Sequence, residues 1–167
     1  SCARRPTYTT IWYWNFCGVA MTVIQDYFAV EPILVEKIKT AMPDLVDVNT
    51  PFTIESMLEA SNNAPSVSVI YFDDRIGDSA SNGSSATVFQ QWLVVLCIRD
   101  AGAQLQNTNS LRKEADPFIR NLLDTLQGFN PQVAGYRMFK RANSPVRIGS
   151  SPGFAYFPLM FEIQIFT

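Results

Sequence analysis

Hydrophobic positions change period several times along this chain, and the clearest pattern lies in its second half. In Gln91-Trp92-Leu93-Val94-Val95-Leu96-Cys97-Ile98-Arg99-Asp100, the positions Trp92, Val94, Leu96 and Ile98 are apolar, and the intervening Leu93, Val95 and Cys97 are nearly as apolar. This predicts a strand buried on both faces. It needs a helix on one side and either another helix or a neighbouring subunit on the other. The final segment, Phe154 to Phe166, alternates instead. Phe157, Leu159, Phe161, Ile163 and Ile165 form a core face, while Glu162 and Gln164 point away from it. Pro158 marks a bulge or an edge there, because proline has no N–H for a central ladder.

Between these strands the period lengthens. Leu111, Ala115, Phe118, Ile119, Leu122, Leu123 and Leu126 recur at helical steps, with Arg112, Lys113, Glu114, Arg120, Asn121 and Asp124 elsewhere around the cylinder. Gly128 ends this helix by tolerating a left-handed conformation, and Pro131 prevents its resumption. Pro117 lies inside the pattern. It removes a backbone donor, so a kink or a separate first turn is expected, with Asp116 as N-cap of the second part.

The first half is built from shorter units. Pro32 fits the first turn of a helix through Met42 that carries Leu34, Ile38 and Ala41 on one side, and Pro43-Asp44 closes it. A short strand is expected over Leu45 to Val48. Thr50-Pro51 offers an N-cap and first-turn pair for a helix from Phe52 to Glu59 with Ile54, Met57 and Leu58 inward. A β-branched and aromatic strand follows over Val67 to Phe72. Asp73 to Thr87, rich in Ser, Gly, Asn and Asp, reads as a protruding hairpin loop or flexible arm: a mobile solvent loop or a partner-contact arm.

The order of two-sided strand, helix closing on Leu126-Gln127-Gly128-Phe129-Asn130-Pro131, turn-rich segment and aromatic C-terminal strand resembles the tail terminator or tail-completion proteins of contractile-tailed phages and prophages. The likeness covers Val30 to Thr167. It implies a small α/β subunit that closes as a hexameric ring on the end of a tail tube, stops tube polymerisation and offers a surface to the head connector. The implied partners are further copies of the chain, the tube protein and a connector or neck protein. The implied location is the virion tail, after assembly in the host cytoplasm. A neck or baseplate-proximal tail protein is the alternative within the same assembly.

Composition bounds the alternatives. At 167 residues the chain suits one domain, and 47% hydrophobic content is ample for its core. The expected fold is α/β, with a mixed, mainly antiparallel sheet and helices packed on one face. The chain contains no histidine, which removes Ser-His-Asp and Cys-His arrangements, most zinc sites and a neutral-pH imidazole base. No phosphate-binding glycine loop or EF-hand pattern occurs. Asp73-Asp74-x-x-x-Asp78 lacks the regular ligand alternation and closing Glu of a calcium loop, and reads as a solvated turn. Cys2, Cys17 and Cys97 form no Cys-x-x-Cys pair. Cys97 reads as a small buried hydrophobe, and the odd count fits a reducing compartment. No cofactor, metal or catalytic residue is expected, although a small carboxylate-dependent enzyme is a further reading.

Charge is segregated. Asp44, Asp47, Glu55, Glu59, Asp73, Asp74 and Asp78 fall in one stretch with Arg75 as its base, whereas Arg137, Lys140, Arg141 and Arg147 stand together without an acid. A head-to-tail ring needs two different, complementary surfaces on each subunit, which makes Asp73, Asp74, Arg75, Asp78, Arg137, Lys140, Arg141 and Arg147 candidate subunit or partner contacts. Setting Arg4 and Arg5 aside leaves eleven bases against fifteen acids, a net of −4 that opposes strong polyanion binding. DNA is thus expected to pass such a ring without specific binding.

Ser1 to Ala20 pairs Arg4-Arg5 with Ile11-Trp12-Tyr13-Trp14-Asn15-Phe16-Cys17, a poor match to a signal peptide because the apolar run is short, aromatic and interrupted. It is expected to be an extension to a domain covering residues 21–167. No stretch is long enough to span a membrane.

Overall fold

The computed structural model describes residues 22–59, 63–100, 108–151 and 153–167. The expected N-terminal extension lies outside them. In chain order the elements are α1 (Val30–Ala41), β1 (Asp47–Asn49), α2 (Ile54–Glu59), β2 (Ser66–Ala80), β3 (Ser85–Arg99), α3 (Thr108–Leu126), β4 (Tyr136–Ala142), β5 (Gly149–Ser151) and β6 (Phe154–Phe166). The strands form one sheet in the order β1-β2-β3-β6-β4, with β5 also pairing to β6. Among the described strands, only the β1–β2 pair is parallel.

The two-sided strand is β3, and it divides the core as its sequence predicts. Val88, Trp92, Val94, Leu96 and Ile98 join Leu34 and Ile38 of α1, Ala115, Leu122 and Leu126 of α3, and the odd positions of β6 in the larger cluster. Leu93, Val95 and Cys97 pack on the opposite face with Ile70, Tyr156, Met160 and Met57 of α2. The two long helices thus cover one face, and the short α2 covers one end of the other. Pro158 pairs with Val95 of β3, but on its other side it falls in the gap between β5, which ends its pairing at Tyr156, and β4, which begins at Met160. The local edge expected from the proline is therefore present inside an otherwise central strand.

Several boundaries differ from the sequence reading. The first short strand lies at Asp47–Asn49 and not at Leu45 to Val48. The cap of α2 is Thr53, whose Oγ1 accepts the Ser56 N–H at 3.1 Å, so the helix begins at Ile54 and Thr50 caps nothing there. Met57 is buried, but Leu58 is exposed, because so short a helix buries a single stripe. Helix α3 runs through Pro117 without a break. Pro117 lies on its exposed side, while buried Ala115, Leu122 and Leu126 hold both halves against the sheet. Asp116 is consequently no N-cap; it lies within the helix and pairs with Arg120 at 2.9 Å.

The largest correction concerns Asp73 to Thr87. This stretch is not a loop: β2 continues to Ala80, a turn over Ser81–Gly83 reverses the chain, and β3 starts at Ser85. The reason is support from behind. Strand β6 pairs with β3 as far as Thr87, and the Ala86 and Thr167 backbones exchange hydrogen bonds of 3.0 and 2.9 Å, so β2 zips onto a strand already held on its far side. Gly77 suits the packing, since a Cβ there would stand 3.0 Å from the Phe89 ring and 3.2 Å from the Thr87 carbonyl.

Before α1, residues 22–29 cross the helix side of the sheet as a strap. Ile24 N–H donates to the Phe166 carbonyl at 2.9 Å, and the Tyr136 hydroxyl donates to the Asp26 carbonyl. Gly135, at φ +83°, lies directly beneath the strap: a Cβ would be 2.5 Å from Ile24 N.

Candidate assembly surface

The strand order separates the charges that the sequence segregates. β1 and β2, with the acidic stretch, form one edge of the sheet; β4, with Arg137, Lys140 and Arg141, forms the opposite edge. Arg147 follows β4 and is exposed. The two edges thus differ in charge, with Asp47, Asp73 and Asp78 along β1 and β2 and Arg137, Lys140 and Arg141 along β4, whereas Arg147 lines a groove with Ile54, Met57 and Leu58 of α2, the helix that carries Glu55 and Glu59. Parallel pairing with β1 covers only Ser66 to Ser68 of β2, so among the described residues the outer edge of β2 from Val69 to Ala80 has no strand beside it. Two irregularities in register, between Tyr71 and Asp73 and between Ile76 and Ser79, interrupt this edge, as do the charges of Asp73, Arg75 and Asp78.

The eight candidate contact residues fall into two groups. Asp74 is turned inward: its Oδ2 accepts hydrogen bonds from the Tyr27 and Tyr71 hydroxyls, fastening the strap to β2. Burial, followed by the bond to Asp74, pushes the Tyr27 phenol up to about 12, and the same causes raise Tyr71. Arg75 is also engaged within the subunit, 3.4 Å from Glu162 Oε1 and with its guanidinium 4.2 Å from the centre of the Phe89 ring. Arg75 is nonetheless exposed, as are Asp73, Asp78, Arg137, Lys140, Arg141 and Arg147, which form no ion pair among the described residues. Arg137 extends over the Phe166 ring at 5.1 Å.

Away from α2, no described helix covers the second face of the sheet, which carries Gln91, Glu162 and Gln164. Glu162 sits near its middle, accepting from Arg75 through one carboxylate oxygen and from Gln91 Nε2 through the other at 3.1 Å. The sequence marks Glu162 only as pointing away from the core. Its place between two charged edges depends on β6 lying between β3 and β4, which no local pattern records.

Among the described residues no group of three or more His, Cys, Asp or Glu is placed to hold a metal ion. Among the described residues, the side chains lining each of the five principal grooves include at most one Asp or Glu. Burial pushes the Cys97 thiol up, which disfavours the reactive thiolate. No described helix is long and apolar enough to cross a membrane.

Among solved structures, a chain from the virion of a native gene transfer agent particle aligns with a TM-score of 0.44 and 13% identity, over 84% of this chain and 89% of that one. No curated protein matches the sequence. The phage tail terminator protein family matches residues 23–167, from the strap through β6, and the chain therefore belongs to that family of structural tail proteins.

Proposed function

We propose that the protein caps the tail tube as a closed ring, ends tube polymerisation and presents the surface on which the head connector docks. The observation that carries this reading is the placement of an acidic and a basic edge on opposite sides of one sheet. Two different, complementary surfaces make a heterologous contact, and such contacts build rings when the rotation between neighbours closes. The long open edge of β2 agrees, because a solitary small sheet leaves it unpaired and an assembled ring need not. Affinity then comes from a modest contact repeated around the ring.

Negative-stain imaging of the purified chain, alone and with tube protein, tests the reading. Annuli with a central hole, seated on one end of tubes of uniform length, are expected. A chain that stays monomeric over a wide concentration range in the presence of tubes overturns it. Annuli found only at the tail-tip end would instead make this a baseplate-proximal protein.

A further inference from the structure

We propose that neighbouring subunits meet edge to edge with Lys140 of one against Asp73 of the next, which joins a polar row across each sheet into a belt around the ring. This inference rests on the ring reading and specifies its contact.

The row follows from the register. Asp73 pairs with Gln91, Gln91 with Glu162, and Glu162 with Lys140, so one line of residues crosses the sheet from the β2 edge to the β4 edge. Directly opposed residues of adjacent strands share a face, which places all four on the second face of the sheet. The middle of the row is satisfied within the subunit. Gln91 and Arg75 take the two oxygens of Glu162, and Lys140, although opposite Glu162, makes no ion pair among the described residues. At the other end, among the described residues, the Asp73 carboxylate accepts only a local bond, from the Asp74 N–H at 2.8 Å. The row therefore ends in an exposed cation on one edge and an exposed anion on the other.

Strand direction makes the two ends compatible. With antiparallel pairing from β2 to β3, β3 to β6 and β6 to β4, strands β2 and β4 run in opposite directions. Rotation about an axis along the strands moves a copy sideways while keeping its direction and level. Strand β4 then comes beside the next subunit's β2 in antiparallel sense, and Lys140 comes level with Asp73. Side chains carry this contact, because the β4 edge is already used at Phe139, whose N–H donates to Phe129 at 2.9 Å and whose carbonyl accepts from Gly128 at 2.8 Å. Exposed Met138 beside Lys140 and exposed Phe72 beside Asp73 supply apolar area at the same joint.

Charge exchange in the full chain tests the pairing, with ring and monomer separated by sedimentation velocity at low salt. Lys140→Asp and Asp73→Lys, each alone, are expected to raise the concentration needed for half-assembly by about tenfold or more, since each sets like charges face to face. The double variant is expected to return most of the loss, and the differences are expected to shrink at high salt. Should either reversal fail to fold by circular dichroism, Lys140→Gln and Asp73→Asn replace them, with smaller shifts in the same direction. Rings that form as in the parent with either single variant overturn the pairing and leave the ring reading intact, as does a folded double variant that recovers nothing. A parent chain that forms no ring with tube protein present overturns both.

Discussion

The indole Nε1 of Trp92 donates to Oε1 of Gln90 at 3.2 Å, in the fully buried layer beneath the helices. The other end of the Gln90 amide donates to the Tyr27 carbonyl, so one side chain satisfies a core indole and anchors the strap. Replacing it by leucine preserves bulk but strands both groups. Gln90→Leu is expected to lower stability by about 2–4 kcal/mol, since each unsatisfied buried group costs about 1–3 kcal/mol. Urea unfolding gives the midpoint, and an unchanged value would mean that these bonds hold nothing in solution.

The Asp74 carboxylate and its two tyrosines predict an alkaline limit. The Tyr27 phenol is raised from 10.0 to about 12 by burial first and Asp74 second, and Tyr71 is raised for the same reasons. A raised folded-state value means that the unfolded chain loses its protons first. This contribution is complete below pH 10 and is lost as pH rises toward about 12. Titration of tyrosinate absorbance should show a late-ionising fraction that appears together with unfolding. In Asp74→Asn that fraction should ionise earlier, yet not at the free-tyrosine value, because burial persists.

Gly135 sets a steric requirement on the strap. At φ +83°, with Ile24 N 2.5 Å from the position of a Cβ, an added methyl strains the backbone and pushes the strap from β6. Gly135→Ala is expected to cost more than about 2 kcal/mol, combining the left-handed penalty with the clash. Thermal unfolding checks this. A midpoint within a degree or so of the parent would show that residues 22–27 add little to the fold.

Much of this fold was legible in local pattern, and the remainder depended on distant partners. Trp92 to Ile98, Phe157 to Ile165 and Leu111 to Leu126 revealed themselves because each buries side chains at a fixed period, and that period is a property of the segment itself. Asp74 could not be placed in the same way: in sequence it belongs to a polar turn, and only the strap, bringing Tyr27 across, makes it an internal acceptor. The charge segregation was visible, but its division between opposite edges was not. That division follows from β6 entering the sheet between β3 and β4.

Pro117 illustrates tertiary packing outweighing propensity. A proline inside a helix costs about 3 kcal/mol relative to alanine, yet α3 is continuous because its buried face is fixed on the sheet on both sides of the proline. Pro117→Ala should recover part of that cost, raising stability by about 1–3 kcal/mol. Chemical denaturation measures the gain. A loss instead would show that the ring packs against a neighbour in a way alanine cannot replace.

The hairpin formed by the ends of β2 and β3 yields the final prediction. Its composition has too little apolar surface to order a free loop, and on that ground alone it reads as mobile. In the folded chain, however, its order does not depend on a core. β3 is held by β6 from Thr87 onward, and β2 adds a ladder that passes two irregularities and reaches as far as the Ala80–Ser85 pair. The Arg75 guanidinium over Phe89 ties the two strands on the second face of the sheet. Amide hydrogen exchange on the free subunit should therefore show protection in β2 beyond Asp73, strongest near Asp74 to Ile76 and fading toward the turn at Ser81–Gly83. Phe89→Ala should shorten that protection by removing both the ring beneath Arg75 and the wall beside Gly77. Exchange at the unprotected rate throughout residues 73–87 would mean that the ladder forms only when another molecule covers the β2 edge, and the hairpin would then be a segment ordered by its partner.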